Sequence, residues 1–168
     1  MNLQRRYFLT TGVSLGLFVV SSLLTIKTSI ANAAEMDKFE VTHNDAEWKT
    51  LLSPSAYLIL RHEGTEPPFS STLNSEHRVG IFECQGCAQH LYSSKTKFDS
   101  HTGWPSFWQP LENAVITRTD NSLFISRVEV LCRRCGGHLG HVFEDGPKPT
   151  GLRYCMNGAA MKFTPSAT

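Results

Sequence analysis

The five cysteines of this 168-residue chain divide four plus one. Cys84 and Cys87 form one C-x-x-C pair, Cys132 and Cys135 form a second, and Cys155 stands apart in Arg153-Tyr154-Cys155-Met156-Asn157. Two such pairs supply four thiolates for a closed, structural zinc site with no coordination position left for catalysis. In an exported chain the same four cysteines could form two disulfides. So close a pair, however, rarely bridges for stability and more often binds metal or does redox work. Either way one thiol is left for chemistry. Written as a strand, 151–157 places Arg153, Cys155 and Asn157 on one face and Leu152, Tyr154 and Met156 on the other. A thiol that only packs belongs on the apolar face. Cys155 sits on the polar one, with the Arg153 cation two residues away to attract a thiolate.

Upstream lies His138-Leu139-Gly140-His141-Val142-Phe143. In a flat strand His138 and His141 point to opposite faces, but a bulge at Gly140 would bring both to one site. There an imidazole beside a thiolate could supply or accept a proton near neutral pH. The bland alternative is that either histidine packs or assists the metal. Trp104, Phe107 and Trp108 crowd one short segment; they read equally as core or as an aromatic wall for a small apolar group.

The elements that must position these residues are short. Asn44 with Glu47 makes a capping box for a first helix. Ser53-Pro54 starts a second, and Gly64 is its expected left-handed cap. Glu66-Pro67-Pro68-Phe69 cannot be helix interior. Beyond it the period becomes strand-like, with runs at 79–83, 90–93, 113–119, 123–131, 138–143 and 151–157 and a turn at Asp120-Asn121. Each cysteine pair falls at a strand end, and Gly86 and Gly136-Gly137 are the expected positive-φ residues of the metal loops. The expected organisation is mainly β: two short N-terminal helices leading into small antiparallel sheets stapled by zinc.

The first 33 residues are not part of that domain. Arg5-Arg6 precede an apolar run that ends before Lys27, and Ala31-Asn32-Ala33 is a small-residue cleavage signal. The paired arginines resemble a twin-arginine address, which places the mature protein in a periplasm or a thylakoid lumen. An uncleaved membrane anchor is the alternative, since the run is near the length of a span. Residues 34–44 read as a lead-in and 45–165 as the domain. Removing 1–33 takes away Arg5, Arg6 and Lys27 and no acidic residue, so the formal net charge falls from +1 to −2. Such a chain has no electrostatic footprint for nucleic acid.

Several segments together resemble a known family, in order and spacing. They are 64–69 (GTEPPF), 97–100 (KFDS), 103–107 (GWPSF), 137–143 (GHLGHVF), 145–147 (DGP) and 150–155 (TGLRYC). The family is the B-type methionine sulfoxide reductases, which reduce the R epimer of methionine sulfoxide. The resemblance implies a tent of two antiparallel sheets with one zinc on Cys84, Cys87, Cys132 and Cys135, opposite the active site. It implies Cys155 as the nucleophile and His141 with His138 as the groups that protonate and hold the sulfoxide oxygen. Asn157 and Arg153 would orient this network, and Asp145 would bond to a histidine or to Arg153. Trp104, with Phe107, would hold the substrate methyl. The partners implied are oxidised proteins and a thiol reductant.

Two departures stand out. Where many family members carry a resolving cysteine before the Gly-Trp-Pro-Ser-Phe loop, this chain has Thr102. Cys155 would then be regenerated by a thioredoxin-like protein, glutathione or another thiol. Gly158-Ala159-Ala160 replaces a more polar Ser-Ala-Ser. The rival readings are a zinc module that docks a partner through its aromatic loop, and a peroxide-reducing thiol protein. The first has no need of Arg153, Cys155 and Asn157 on one strand face or of the paired histidines; the second would not distinguish sulfoxide epimers.

Overall fold

The computed structural model describes residues 39–121 and 126–167. The export segment 1–33, the lead-in as far as 38 and the start of the strand expected at 123–131 lie outside the described residues. Among the described residues no helix is long and apolar enough to cross a membrane.

Asn44 opens helix α1 (Asp45–Leu51). Its side-chain oxygen accepts from the Glu47 N–H at 3.0 Å, and the Glu47 carboxylate accepts from the Asn44 N–H at 2.9 Å. A cap of this kind stabilises a short helix by about 1 kcal/mol. Ser53 caps helix α2 (Pro54–His62), accepting from the Ala56 N–H, with Pro54 in the first turn. The end of α2 differs from expectation. The left-handed residue is Glu63, at φ 54, and Gly64 follows it, its N–H reaching back to the Leu58 carbonyl at 3.0 Å.

Ala56, Tyr57, Ile59 and Leu60 form the buried face of α2, and Trp48 is the buried residue of α1. Each large side chain removed from water in this way contributes roughly 1.5–3 kcal/mol. Arg61 covers the Trp48 ring at 4.8 Å and donates to the Cys135 carbonyl at 3.0 Å. The helices are thus tied to the second cysteine pair.

Two antiparallel sheets follow. Strands β1 (Gly80–Cys84), β2 (His90–Ser93) and β9 (Met161–Pro165) form the smaller, in the order β2-β1-β9. The larger has the order β3-β4-β8-β7-β6-β5. Its strands are β3 (Lys97–Phe98), β4 (Ser106–Phe107), β5 (Val115–Asp120), β6 (Arg127–Cys132), β7 (His138–Phe143) and β8 (Arg153–Met156). The expected fold is present, with three strands more than the sequence predicts. β3 and β4 are two residues long, too short for any alternation to register. β9 carries Pro165 at a sheet edge, where no ladder bond is lost.

Some boundaries move. Asn113 has φ 53 and belongs to the turn before β5, and Asp120 is the last residue of β5, paired with Arg127, rather than a turn residue. In the first cysteine loop the left-handed residue is Ala88 (φ 57), not Gly86; in the second it is Gly136 (φ 67), not Gly137. Between the sheets Tyr92 stacks on Phe107 at 4.3 Å, Phe82 meets Phe107 edge-on at 4.9 Å, and the Tyr92 hydroxyl donates to Met156 Sδ at 3.1 Å.

The expected bulge is present. Val130 pairs with Gly140 and Leu131 with His138, leaving Leu139 as the extra residue of β7. Gly140 has φ 153, and a Cβ on it would stand 2.2 Å from the Cys155 carbonyl oxygen. Only glycine fits both the angle and the approach of β8. Gly140→Ala should therefore destabilise the protein by about 2–4 kcal/mol, from strain and overpacking together. Urea unfolding will measure it; a midpoint equal to the parent's would show that the bulge tolerates a side chain.

Candidate active site and thiol cluster

Residues directly opposite in an antiparallel pair share a face. Following the register across the larger sheet, Arg118 of β5 lies opposite Glu129 of β6, Glu129 opposite His141 of β7, His141 opposite Cys155 of β8, and Cys155 opposite Ser106 of β4. One lateral row thus carries a guanidinium, a carboxylate, an imidazole, a thiol and a hydroxyl. One step along the strands, Asp120 lies opposite Arg127, and Phe143 opposite Arg153.

The bulge adds His138 to this face: its ring lies 5.4 Å from that of His141, edge-on. Each imidazole is backed by a carboxylate. His138 Nδ1 is 2.5 Å from Glu129 Oε1, and His141 Nε2 is 2.8 Å from Asp120 Oδ2. Arg118 donates to Glu129, and Arg127 donates to Asp120 at 2.6 Å. Glu129 and His138 are only 2% and 3% exposed. Burial pushes the Glu129 carboxyl upward, but the bonds from His138 and Arg118 outweigh it and hold the group below its ordinary value. Burial also lowers His141, against the opposing pull of Asp120. His138 Nε2 is buried with no hydrogen-bond partner among the described residues.

The hydrogen bonds of Asn157 go to the backbone and not to either histidine. Its N–H and its Nδ2 both donate to the Leu139 carbonyl, at 2.8 and 3.2 Å, and its Oδ1 accepts from the Glu66 N–H at 3.0 Å. Since Leu139 is the extra residue of β7, Asn157 pins the bulge that puts both imidazoles on one side. Arg153 makes a two-pronged ion pair with Asp145, both contacts 2.8 Å, and lies over the Phe143 ring at 4.4 Å. Asp145 therefore serves Arg153 and not a histidine, and Arg153 holds its carboxyl below the ordinary range.

The aromatic segment separates into two roles. Phe107 has no exposed surface and is a core residue between the sheets, which corrects its expected place in a substrate wall. Trp104 is half-buried and donates from its indole N–H to the Glu66 carbonyl at 3.1 Å. Phe69, absent from the expected set, is 73% exposed in a left-handed conformation, its N–H donating to the Gly103 carbonyl at 2.7 Å. An exposed ring on a left-handed backbone, packed against Gly103, marks this loop as a candidate for substrate contact.

Glu66, Asp120 and Glu129 are the other residues the sequence reading missed. Glu66 accepts from the N–H groups of Gly158 and Ala159, at 2.5 and 2.9 Å, and so anchors the 64–69 loop. The signal for Glu129 was present: a charged residue between Val128 and Val130, placed opposite His141 once the β6–β7 hairpin is paired back from its cysteine loop. The weak polarity of Gly158-Ala159-Ala160 also has an account. A Cβ at Gly158 would stand 1.9 Å from Ser71 Oγ, so Ser71 fills that space.

The remaining four cysteines converge. Cys84 ends β1 and Cys132 ends β6, and the Sγ atoms of Cys84, Cys87, Cys132 and Cys135 all lie within 4.8 Å of one another. Cys84 and Cys135 are 3.7 Å apart, Cys87 and Cys132 3.5 Å. A tetrahedron of sulfurs about 2.3 Å from a central zinc has edges of about 3.8 Å. The cluster therefore fits a metal, and all four are free thiols rather than disulfides. Cys132 is three residues along β6 from Glu129, about 10 Å at strand rise, so the cluster is separate from the row that holds Cys155. Cys84→Ser should lose bound metal and unfold the domain, since a closed site supplies folding free energy. Metal analysis with circular dichroism checks this; a metal-free variant that stayed folded would remove the structural role.

The SelR domain family model matches residues 52–165. A peptide methionine sulfoxide reductase MsrB of Methanosarcina mazei is 49% identical over 130 residues, covering 77% of this chain and 93% of that protein. The protein of the same name from Leptospira interrogans is 49% identical over 126 residues, covering 74% and 96%. That from Thiobacillus denitrificans is 52% identical over 122 residues, covering 72% and 92%.

Proposed function

We infer that this chain, which belongs to the SelR domain family, is a peptide-methionine (R)-S-oxide reductase, and we propose that it works with a single redox cysteine. The observation that carries the proposal is the lateral row: the one thiol outside the cluster, Cys155, lies directly opposite His141. In this reading the Cys155 thiolate attacks the sulfoxide sulfur while an imidazole of the His138–His141 pair protonates the oxygen, a poor leaving group until it is protonated. Attack forms a bond between Cys155 Sγ and the substrate sulfur; that bond and the substrate S–O bond then break as the oxygen passes to Cys155 Sγ, forming its S–O bond. The sulfoxide gains two electrons, Cys155 loses two, and the products are methionine and a sulfenic acid. Glu129 and Asp120 hold the imidazoles by hydrogen bonds, and Asp120 favours the charged form of His141. Trp104 and Phe69 offer apolar surface for the substrate methyl.

Thr102 occupies the position of a resolving cysteine, its Oγ1 3.8 Å from Cys155 Sγ. Regeneration then falls to an external thiol: one thiol forms a mixed disulfide with Cys155 and releases water, and a second frees the enzyme. Zinc on Cys84, Cys87, Cys132 and Cys135 would serve as a cross-link between β1 and β6. The amino-terminal segment supports export to a periplasm or thylakoid lumen by the twin-arginine route. Arg5-Arg6 changed to two lysines should leave the protein in the cytosol, and normal export of that variant would refute the route.

Racemic methionine sulfoxide with dithiothreitol should be consumed to half and no further; consumption of both epimers would favour a general thiol peroxidase-like activity. After one turnover Cys155 should carry a dimedone-trappable sulfenic acid. Detection of Cys155 bridged to a cluster cysteine during turnover would sink the one-cysteine route.

His141→Ala should slow reduction by roughly 10²–10⁴-fold with the fold intact. The His141 value lies below its ordinary 6.5, so its charged form grows as pH falls. The histidine-dependent part of the rate should therefore increase from pH 8 to pH 6 and be absent in the variant. Equal pH profiles for the two proteins would exclude His141 as the acid.

A further inference from the structure

Beside Cys155 lies a chain of hydroxyl groups that the reaction above does not use. Ser106, with no exposed surface, sits opposite Cys155 in the β4–β8 pair, and its Oγ is 3.2 Å from the Trp104 carbonyl. Ser100 Oγ is 2.7 Å from Ser106 Oγ and 2.8 Å from Thr102 Oγ1. Thr102 Oγ1 in turn is 3.8 Å from Cys155 Sγ, within reach of a sulfur acceptor. The chain therefore runs from a fixed backbone carbonyl, through three hydroxyls, to the sulfur.

We propose that Ser106, Ser100 and Thr102 form a reversible hydrogen-bond chain that positions the Cys155 sulfur in both of its oxidation states. A hydroxyl has one proton to donate and two lone pairs to accept with, and its proton rotates freely. Toward a thiolate the Thr102 hydroxyl donates, while Ser100 donates to Thr102 and Ser106 to Ser100. Toward a sulfenic acid the O–H protons turn: the acid donates to Thr102, Thr102 to Ser100, Ser100 to Ser106 and Ser106 to the Trp104 carbonyl. The switch reverses the direction of each hydrogen bond by rotation of hydroxyl protons and needs no proton from solvent. Thr102 is thus more than the absence of a second thiol. A cysteine there would capture the sulfenic acid as a disulfide, whereas the threonine holds it open to an outside thiol. Thr102 is a positioning residue, since it acts through Cys155.

The proposal rests on Cys155 being the redox centre. Thr102→Val keeps the shape and removes the hydroxyl; Thr102→Ser keeps the hydroxyl and removes the methyl. Two readouts are compared in each folded variant: the rate of Cys155 alkylation by iodoacetamide at neutral pH, followed on its own peptide by mass spectrometry, and kcat with dithiothreitol. A hydrogen bond to a charged group is large enough to expect a roughly ten- to hundredfold loss in both for Thr102→Val. Thr102→Ser should stay within about threefold of the parent, and Ser100→Ala should fall between the two. KM should change little in all three, because the sulfur and not the substrate loses its partner.

Equal impairment of the Val and Ser variants would show that the hydroxyl does not account for the effect and would overturn the proposal. A Val variant matching the parent in both readouts would overturn it as well, and a Ser100→Ala protein indistinguishable from the parent would overturn the chain. A parent protein without sulfoxide reductase activity would instead defeat the proposed function, while the alkylation rates would still decide the hydroxyl chain.

Discussion

Everything at this site depends on register in the larger sheet. Five short strands, none longer than six residues, are aligned so that Arg118, Glu129, His141, Cys155 and Ser106 fall in one row. A slip of one residue in any pair would turn a member of that row to the opposite face. The alignment is held from several directions. The bulge at Leu139 is pinned by Asn157, and Gly140 lets β8 approach β7 closely. Tyr154 and Met156, on the reverse of β8, pack with Tyr92 against the smaller sheet.

The thiol cluster meets the same constraint from the far end of β6. The sheets are short and irregular, and much of the chain between the strands is loop. A metal held by the four thiols would cross-link the ends of β1 and β6 and limit how far either sheet can slide. The buried ion pairs also depend on this rigidity. Glu129 is almost fully covered while bonding to both Arg118 and His138. A buried carboxylate is tolerable only when its partners stay in place.

Features set by local chemistry were legible in the sequence. The capping box at Asn44, the start of α2 at Ser53-Pro54, the pairing of the cysteines and the polar face of 153–157 all follow from residue type and spacing. The bulge at Gly140 was legible as well, because two histidines three apart on a strand have no other way to share a face. Features set by distant pairing were not. Glu129 and Asp120 become histidine partners only through β5–β6–β7 register, and the two-residue strands β4 and β3 form by pairing outward from β8, β4 on β8 and β3 on β4. Phe107 lay in an ambiguous aromatic run, and burial between the sheets decided its role. The left-handed angles at Glu63 and Ala88 fall one and two residues from the glycines expected to carry them, since loop closure sets φ and side-chain preference only biases it.

The meeting of Gly158 and Ser71 has a consequence of a different kind. The two positions are 87 residues apart, yet a single carbon added at one would overlap the side chain of the other. Their substitutions are therefore not independent. A side chain at 158 requires Ser71 or its loop to move aside, so a change at one position alters what the other can hold. Positions 71 and 158 thus form an epistatic pair at the anchor that Glu66 provides for the loop beneath Trp104.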